Sequence, residues 1–360
     1  MSIKIKFLKA FKGDSILISF TDDKNNPKNI LIDGGMAGTY YNSTSNQFGN
    51  LKTEVDNIRS KNENIDLLVL THIDNDHICG LLKWFEMDKE AHKLVKNVWF
   101  NSGKLIAEYL KKPENNDLSV GLDLFKTTFT GVKDAIDFEN YLLAKEIWNR
   151  KIIKLGNVYK SDNIQMLVLS PTRNQLKNLL KEYKEKTGNI AYTAAGGKDW
   201  NIDLKAFIEE ENDIKFKFAQ DTSVKNGSSI SFILTIKEKN FLFLGDSHPK
   251  EIVSYLKKKG FSKEKPLNVE LMKLSHHGSK GNTNKELLEL VKIENYIIST
   301  DSSEHGHPNK RTLARIISIN PNAVFHFNYE FVKDNIFNDK DFEDYTNFSI
   351  KLTNELDFAL

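Results

Sequence analysis

Two histidines and two aspartates lie within six consecutive positions of this chain. They are His72, Asp74, Asp76 and His77, and they directly follow the apolar run at residues 65–70. Such a run is typical of a buried strand, and side chains at the end of a strand converge on one point. Imidazoles and carboxylates converging at about 2 Å are the ligands of a divalent metal. Four donors exceed what one tetrahedral ion takes from a single loop, so the pattern predicts two ions. A polar turn without chemistry would explain neither histidine.

An apolar strand followed by residues of the metal-binding type occurs three more times. These segments are the strand at 239–244 before Asp246, the strand at 269–274 before His276 and His277, and the strand at 296–300 before His305 and His307. Active sites of layered α/β folds gather at such strand ends. The four segments are therefore predicted to meet.

Together these segments resemble the metallo-β-lactamase-fold hydrolases. The motifs are H-x-D-x-D-H from residue 72, FLFLGD ending at 246, LSHHGS at 274–279 and HGHP at 305–308. Within that fold they are most similar to the branch typified by the hydrolase domain of the bacterial competence protein ComEC. The segments KGDSILI and ILIDGG, which start at residues 12 and 30, are similar to its two opening strands. The resemblance covers residues 1–100 and 222–310.

The resemblance implies an α/β fold, a four-layer αββα sandwich of two mixed sheets with helices outside. Because the motifs must converge, residues 1–360 are expected to form one domain with a partly helical insertion at 104–220. Within the insertion we predict amphipathic helices at 105–110 and 139–148, a buried strand at 165–171, a charged helix at 175–186 and a loop at 191–198. The insertion could be a lid, a structural elaboration or a docking surface for another subunit.

Metal-ligand roles are carried over from the resemblance, position by position. It implies that His72 and Asp74 hold one ion, that Asp76 and His77 hold the other, and that Asp246 bridges the two. His276 would complete the second site. His277 is the weaker candidate, because neighbouring residues at a strand edge point in opposite directions. It is predicted to contact substrate or support a ligand, or simply to be a surface residue.

The chain departs from the wider fold between His77 and Asp246, where the fold usually supplies another metal histidine. The only histidine there is His92, in a charged stretch where we expect it to be exposed. The first site therefore lacks one imidazole, and Asn226, Ser228, a water or a substrate phosphate could take its place. The carboxylate of Asp74 makes the ligand set harder, so two divalent ions, Zn²⁺ or Mn²⁺, are the expected cofactors.

Two cations that share a carboxylate activate water for the hydrolysis of esters, amides, lactones or phosphodiesters. The ComEC-like branch is associated with nucleic-acid degradation, which favours a phosphodiesterase or nuclease. His307 is similar to a late histidine that related nucleases use near the scissile phosphate. The predicted catalytic residues are Asp76 and His307. The predicted substrate-binding residues are His277, Ser279, Lys280, Asn226 and Ser228, and Lys310 and Arg311 are further cations that could instead be solvated surface.

Charge and composition limit the functional class. With 51 basic and 49 acidic residues the formal charge is +2, which excludes a strongly basic protein built to coat nucleic acid. A nuclease with a local basic groove and an enzyme acting on nucleotides both remain open. The single cysteine, Cys79, cannot form a disulfide within the chain and fits a reducing compartment. It could be a ligand or, at a helix start, a small buried residue.

We expect a soluble bacterial cytoplasmic protein whose partner is a nucleic-acid or nucleotide substrate, with no membrane association and with a partner subunit or homo-oligomer as an open option. Two other functions stay open: hydrolysis of a small acyl substrate such as a lactone or thioester, and a metal-stabilised binding module with weak catalysis. The aromatic, acidic stretch at 325–348 is expected to pack in the core or against a partner, because its carboxylates would repel a nucleic-acid backbone.

Overall fold

The protein is described here by a computed structural model, which covers residues 2–112, 130–161, 163–184 and 197–359. The strands run in chain order: β1 (Ser2–Phe7), β2 (Ile16–Thr21), β3 (Pro27–Ile32), β4 (Tyr41–Asn42), β5 (Gln47–Phe48), β6 (Leu67–Val69), β7 (Val98–Trp99), β8 (Val158–Ser161), β9 (Ile164–Ser170), β10 (Ser231–Ile236), β11 (Lys239–Phe243), β12 (Leu267–Asn268), β13 (Leu271–Lys273), β14 (Val291–Lys292), β15 (Asn295–Ile298), β16 (Val324–Phe327), β17 (Ser349–Leu352) and β18 (Glu355–Ala359). The helices follow the same order: α1 (Asn50–Ser60), α2 (Asn75–Met87), α3 (Ala91–Leu94), α4 (Gly103–Tyr109), α5 (Thr130–Ala144), α6 (Arg173–Lys184), α7 (Leu204–Asn212), α8 (Val224–Gly227), α9 (Pro249–Lys258), α10 (Lys285–Glu289), α11 (Lys310–Ile319), α12 (Glu330–Asn335) and α13 (Asp339–Asp344).

Two compact units divide the chain, and each contains one large sheet. The first unit comprises Met1–Leu155, Pro171–Ala191 and Glu355–Leu360, and the second comprises Gly156–Ser170 and Tyr192–Asn354. Several sheets with helices confirm the predicted α/β class. None of the helices within the described residues is long and apolar enough to cross a membrane.

The sheet of the first unit has the strand order β18-β1-β2-β3-β6-β7. Alternating burial along β1 places Ile3, Ile5 and Phe7 inward, as expected for a strand with one buried face. Strands β3 and β6 are parallel, with Ile32 opposite Val69. Because parallel strands end at the same edge of a sheet, the residues that follow β3 and β6 are neighbours.

The sheet of the second unit has the strand order β17-β16-β15-β13-β11-β10-β9-β8. Strands β11, β13 and β15 pair in parallel, so the motifs that follow them leave from one edge. Helices α7, α9, α10 and α11 contribute buried apolar residues to the core of this unit, together with β9, β11, β13, β15 and β16. The parallel pairing explains how segments far apart in sequence share one edge.

Part of the aromatic stretch at 325–348 belongs to this core. Phe325, Phe327 and Phe348 are buried, and Phe337 packs against Phe325 and Phe348 with ring centroids 6.1 and 4.9 Å apart. The expectation of core packing is confirmed for these four phenylalanines, whereas Phe331 and Phe342 of the same stretch are exposed.

Most elements predicted within 104–220 form near the expected positions. Helix α4 starts two residues before the predicted helix at 105–110, and α6 covers much of the predicted helix at 175–186. Helix α5 ends at Ala144 rather than continuing to 148. The predicted strand at 165–171 is β9, paired with β8 and β10. Most of the predicted loop at 191–198 lies outside the described residues. The division into one domain with an insertion stays a prediction.

A buried histidine in β16 is expected to make stability depend on pH. The ring nitrogens of His326 bind Thr353 Oγ1 at 2.9 Å and Asn295 Oδ1 at 3.0 Å, and burial, followed by the charge of Lys351, lowers its pKa to about 4. A depressed histidine pKa stabilises the fold above the unfolded value of about 6.5, and this contribution is lost as the pH falls towards 4. Between pH 7 and pH 4 the wild type should lose about 3 kcal/mol more unfolding free energy than His326→Gln. Urea unfolding of both proteins at each pH would measure this, and equal losses would contradict it.

Candidate functional site

The first unit carries the residues that start the H-x-D-x-D-H motif at the shared end of β3 and β6. Asp33 follows β3, and Thr71 and His72 follow β6. The backbone N–H of Asp33 donates to Val69 O at 2.8 Å, which ties the two strand ends together. The carboxylate of Asp33 accepts from the backbone N–H and the hydroxyl of Thr71, both at 2.7 Å. The Asp33 carboxylate therefore holds the start of the loop that follows β6.

The proton position on His72 follows from these bonds. A carboxylate only accepts, so the single hydroxyl hydrogen of Thr71 goes to Asp33. The same hydroxyl oxygen lies 3.1 Å from His72 Nδ1, so this nitrogen must be the donor. His72 Nε2 is then the nitrogen with the lone pair, and it lies 3.7 Å from Asp74 Oδ2. Such a tautomer is the one a metal-binding histidine needs.

His77 has the same proton arrangement. Its Nδ1 lies 2.8 Å from Asp33 Oδ2, so Nδ1 donates and Nε2 carries the lone pair. Nε2 lies 4.0 Å from Asp76 Oδ2, and the rings of His72 and His77 are 4.1 Å apart. One buried carboxylate thus supports both imidazoles.

Helix α2 presents the remaining donors of this group. Asp74 is the N-cap residue of the helix and Asp76 lies in its first turn, and both side chains are half-buried. Asp14, in the loop before β2, is buried and has a carboxylate oxygen within 4.8 Å of a His77 ring nitrogen. The four predicted ligands of this loop therefore lie close together, and Asp14 lies near His77.

A close backbone approach holds α2 against the end of β3. A Cβ atom at Gly80 would lie 1.9 Å from the carbonyl oxygen of Gly34. The Gly80 N–H donates to Gly35 O at 2.8 Å, and Gly34 N–H donates to His77 O at 2.7 Å. Only glycine fits here, and the first turn of α2 is positioned by the backbone itself.

In the second unit, Asp246 follows β11 and is buried. Its backbone N–H donates to Ser229 Oγ at 3.2 Å. Its two carboxylate oxygens face different histidines: Oδ2 lies 3.8 Å from His276 Nε2, and Oδ1 lies 4.0 Å from His277 Nε2. A carboxylate with one imidazole at each oxygen is suited to the predicted bridging role.

His276 and His277 both reach Asp246 because the chain turns there. They lie in the 3-10 turn Ser275–Gly278 after β13, with φ values of 48° and 52°. The alternation of side chains in a strand, which made His277 the weaker candidate, does not apply in such a turn. His277 is buried and its Nδ1 lies 2.8 Å from Ser299 O, so Nε2 carries the lone pair towards Asp246. The surface alternative for His277 is wrong.

His276 is surrounded by a polar network. Its Nδ1 lies 3.2 Å from Asn282 Oδ1, 3.4 Å from Asn226 Nδ2 and 3.6 Å from Asp221 Oδ2. Burial lowers the pKa of His276, but the carboxylates of Asp246 and Asp221 outweigh it and raise the pKa overall. Burial likewise raises the pKa of Asp221, yet the imidazole of His276, 3.6 Å away, holds that pKa well below its ordinary value.

His307 lies beside this group. Its ring centroid is 4.7 Å from that of His276 and 6.1 Å from that of His305. Its Nδ1 has no hydrogen-bond partner within the described part of the chain. Burial, followed by the charges of His276 and His277, holds the pKa of His307 well below its ordinary value. The sequence prediction thus selected a partly buried histidine next to a candidate ligand.

The residues predicted to contact substrate differ in their exposure and hydrogen bonding. The Ser228 hydroxyl donates to Lys225 O at 2.6 Å, so it caps the end of α8, and it is the adjacent Ser229 that contacts the Asp246 loop. Asn226 is buried in the His276 network. Ser279 is buried, whereas the Lys280 side chain is exposed. Of these residues, only Lys280 offers an exposed charge.

The two later cations are structural. Lys310 is fully buried, pairs with Asp341 and donates to Trp200 O at 3.1 Å. Arg311 pairs with Glu210 at 2.7 Å, and its guanidinium carbon lies 4.5 Å from the Phe207 ring centroid. Both interpretations of Lys310, as a phosphate contact and as solvated surface, are wrong, because its charge is neutralised inside the second unit.

His92 and Cys79 are two further residues near the motif in the sequence. His92 lies in α3 and is half-buried rather than exposed. Cys79 lies in α2, half-buried, with its sulfur 3.8 Å from Asp134 Oδ2. Burial, with the charge of Asp134, raises the pKa of the Cys79 thiol to about 12. Because thiolate is the metal-binding form, this environment favours the structural interpretation of Cys79.

The donor chemistry of both groups fits divalent cations. His72, His77 and His277 each have Nδ1 engaged as a donor, so the lone pair of each ring is on Nε2. Carboxylates lie within 4.0 Å of these Nε2 atoms. Neutral imidazole with carboxylate oxygen suits Zn²⁺ and Mn²⁺ alike.

Sequence reasoning missed the supporting carboxylates. Asp33 directly follows the apolar run of the ILIDGG segment, which is the same signal that indicates a ligand at Asp246. Asp14 lies in the KGDSILI segment, which resembles an opening strand of the fold. Asp221 had no local signal, since it lies in an irregular segment before α8.

Comparison with known proteins identifies one family match. A family model described as the Metallo-beta-lactamase superfamily matches residues 10–302, and no curated protein matches the chain. Among solved structures, the metallo-beta-lactamase fold protein YhfI from Bacillus subtilis is 10% identical with a TM-score of 0.44, over 99% of each chain. Zn(2+)-bound PqqB from Methylobacterium extorquens is 10% identical with a TM-score of 0.40, over 99% of this chain and 100% of that one. A diphosphatase from the PhnP family is 8% identical with a TM-score of 0.41, over 100% of this chain and 99% of that one.

Proposed function

This chain belongs to the metallo-β-lactamase superfamily, and from that premise we propose that it is a metal-dependent phosphodiesterase acting on a nucleic acid or a nucleotide. Two divalent cations, Zn²⁺ or Mn²⁺, are the proposed cofactors. The proposed ligands are His72, Asp74, Asp76, His77, Asp246, His276 and His277. The observation that carries this proposal is the tautomer of His72, His77 and His277, in which Nδ1 donates a hydrogen bond and Nε2 carries the lone pair beside a carboxylate.

When bound, such cations lower the pKa of water and neutralise negative charge on a phosphate. The protein supplies orientation. Asp33 holds the rings of the first unit through Thr71 and His77, and Ser299 O holds His277. Asp76 is proposed to act both as a ligand and as a catalytic carboxylate. Rings that are held in advance need no rearrangement during the reaction.

His307 favours a phosphodiester over an acyl substrate. Its ring lies next to that of His276, and in sequence it is similar to a late histidine that related nucleases use near the scissile phosphate. In that role, His307 would donate a hydrogen bond to a phosphate oxygen or to the leaving oxygen. The exposed Lys280 is the proposed cation for a neighbouring phosphate. The balanced charge of the chain fits a local contact rather than wide coating of nucleic acid.

A substrate screen tests the function directly. The purified chain, loaded with Mn²⁺ or Zn²⁺, would be incubated with bis-p-nitrophenyl phosphate, single- and double-stranded DNA, RNA, cyclic nucleotides, a p-nitrophenyl ester and a lactone. Cleavage of phosphodiesters is the expected result, with two ions bound per chain. Hydrolysis of the ester or lactone alone would replace the proposal with an acyl hydrolase. Fewer than two ions without turnover would indicate a binding module.

His307→Ala gives a sharper test of substrate class. We expect kcat for bis-p-nitrophenyl phosphate to fall about 100-fold, the usual contribution of a positioned proton donor or acceptor, while the number of bound ions stays the same. Glu304→Gln, an exposed change three residues away, serves as the control and should retain activity. Unchanged phosphodiester cleavage by His307→Ala would remove His307 from the mechanism.

A further inference from the structure

We infer that Asp221 is a positioning residue, which fixes the proton and the ring of His276 through the amide of Asn282. This role rests on the proposed function, in which His276 holds a metal ion. Asp221 belongs to none of the metal-binding motifs and lies in the irregular segment before α8. Its contribution is therefore visible only from its contacts.

The Asp221 carboxylate is the acceptor at the centre of a small network. Its Oδ2 accepts from Asn226 Nδ2 at 2.8 Å and from Asn282 Nδ2 at 3.0 Å. Its Oδ1 accepts from Ser223 N at 2.8 Å, and its own N–H donates to Gly281 O at 3.0 Å. The side chain is 11% exposed. Three bonds to the carboxylate and one from the backbone hold this side chain in one orientation.

The orientation of the Asn282 amide follows from that carboxylate. Asn282 is fully buried, and its Nδ2 donates to Asp221 Oδ2 at 3.0 Å and to Asp246 O at 3.1 Å. Both amide hydrogens are used, so Asn282 Oδ1 must be the atom turned towards His276 Nδ1, 3.2 Å away. An amide is assigned by its hydrogen-bond network in this way.

The amide oxygen then decides which nitrogen of His276 carries the proton. Facing an acceptor, Nδ1 is the donor, and Nε2 keeps its lone pair on the side of Asp246 Oδ2, 3.8 Å away. Asn226 Nδ2 is a competing donor at 3.4 Å from His276 Nδ1, but it makes the shorter bond to Asp221. Without the Asp221 carboxylate, both amides could turn towards Nδ1 as donors, and the proton would move to Nε2. That tautomer blocks metal binding.

His248 is the other titratable group that faces this carboxylate. Its Nε2 lies 3.8 Å from Asp221 Oδ2, and Gly227 leaves room for its ring, since a Cβ there would lie 2.7 Å from His248 Cε1. Substitution of His248 therefore tests whether a charge on this ring, rather than the Asn282 amide, explains the effect of Asp221.

The experiment compares zinc affinity and ring tautomer in the full chain. Zinc titration would be followed by calorimetry, and the tautomer of His276 in the metal-free protein by ¹⁵N NMR, with the signal assigned from His276→Gln. For Asp221→Ala we expect the affinity of one zinc site to fall about 10- to 100-fold, with loss of the pure Nδ1–H tautomer. The isosteric Asp221→Asn, which keeps one acceptor oxygen, should fall between that variant and the wild type.

Control variants distinguish the positioning role of Asp221 from the proposal that His276 is a metal ligand. Asp213→Asn, an exposed change, and His248→Gln should retain the affinity and the tautomer. Unchanged affinity and tautomer in both Asp221 variants, with an effect of His276→Gln, would overturn the positioning role alone. An effect of His248→Gln as large as that of Asp221→Ala would also overturn it. If His276→Gln left zinc binding intact, His276 would not be a ligand and the proposed function would lose that part of its site.

Discussion

Replacing Asp246 with alanine is expected to abolish metal-dependent hydrolysis, with kcat/KM at least about 1,000-fold lower, a loss of roughly 4 kcal/mol in transition-state stabilisation. The reason is geometric, because each oxygen of this carboxylate faces the Nε2 atom of a different histidine, at 3.8 and 4.0 Å. Removal would leave both imidazoles without the anion that they share. Activity assays with Mn²⁺ and Zn²⁺ and metal analysis would measure the loss.

We expect Asp246→Ala to fold normally, so a loss of activity can be attributed to the site. The side chain of Asp246 lies at the end of β11, and the backbone bond to Ser229 does not involve the carboxylate. Asp246→Asn, of the same shape without the charge, should be nearly as inactive as the alanine variant. Asp339→Asn, an exposed change in α13, is the matched control. Full cleavage by Asp246→Ala, with a normal unfolding transition, would rule out the proposed metal-dependent reaction.

Asp33→Ala is expected to have the second largest effect, although Asp33 is not itself a proposed ligand. Its carboxylate accepts from the Thr71 backbone, the Thr71 hydroxyl and His77 Nδ1, at 2.7, 2.7 and 2.8 Å. Removal releases both His72 and His77 from their fixed tautomers. We expect a loss of about 100-fold in kcat/KM, as for other residues that orient metal ligands.

Stability should fall with activity in the same variant. Asp33 is fully buried, so its loss leaves buried donors without an acceptor, at a cost of about 2 to 4 kcal/mol in unfolding free energy. Asp33→Asn should also lose stability and activity, because its amide nitrogen would face hydrogen-bond donors. Urea unfolding, zinc affinity and phosphodiester cleavage would be measured for both variants, with the exposed Asp23→Asn as control. Normal zinc affinity in Asp33→Ala would show that the histidines are oriented by other contacts.

Local sequence was sufficient to predict the strands and the polar residues that follow them. The apolar run before Thr71 predicted β6, and the run before Asp246 predicted β11. The matching family model covers residues 10–302, which agrees with the superfamily inferred from these motifs. The order of apolar and polar residues carries this information directly.

The roles of residues that depend on contacts far apart in the sequence were harder to predict. Lys310 follows a candidate catalytic histidine closely in sequence, but its charge is paired with Asp341 in α13. His277 was ranked below His276 from strand alternation, whereas the turn Ser275–Gly278 brings both rings to Asp246. The positive φ of two adjacent histidines could not be predicted from the sequence, because residues other than glycine adopt it uncommonly.

The amino-acid sequence by itself determined which donor types this protein has, which strands they follow and which superfamily it joins. Tertiary structure alone decided which nitrogen each imidazole presents. That choice depends on bonds such as the one from His77 to Asp33, 44 positions apart, and the one from Asn282 to Asp221, 61 positions apart. A ring nitrogen takes its proton according to the acceptor beside it, and the fold supplies that acceptor by pairing strands and loops far apart in the chain.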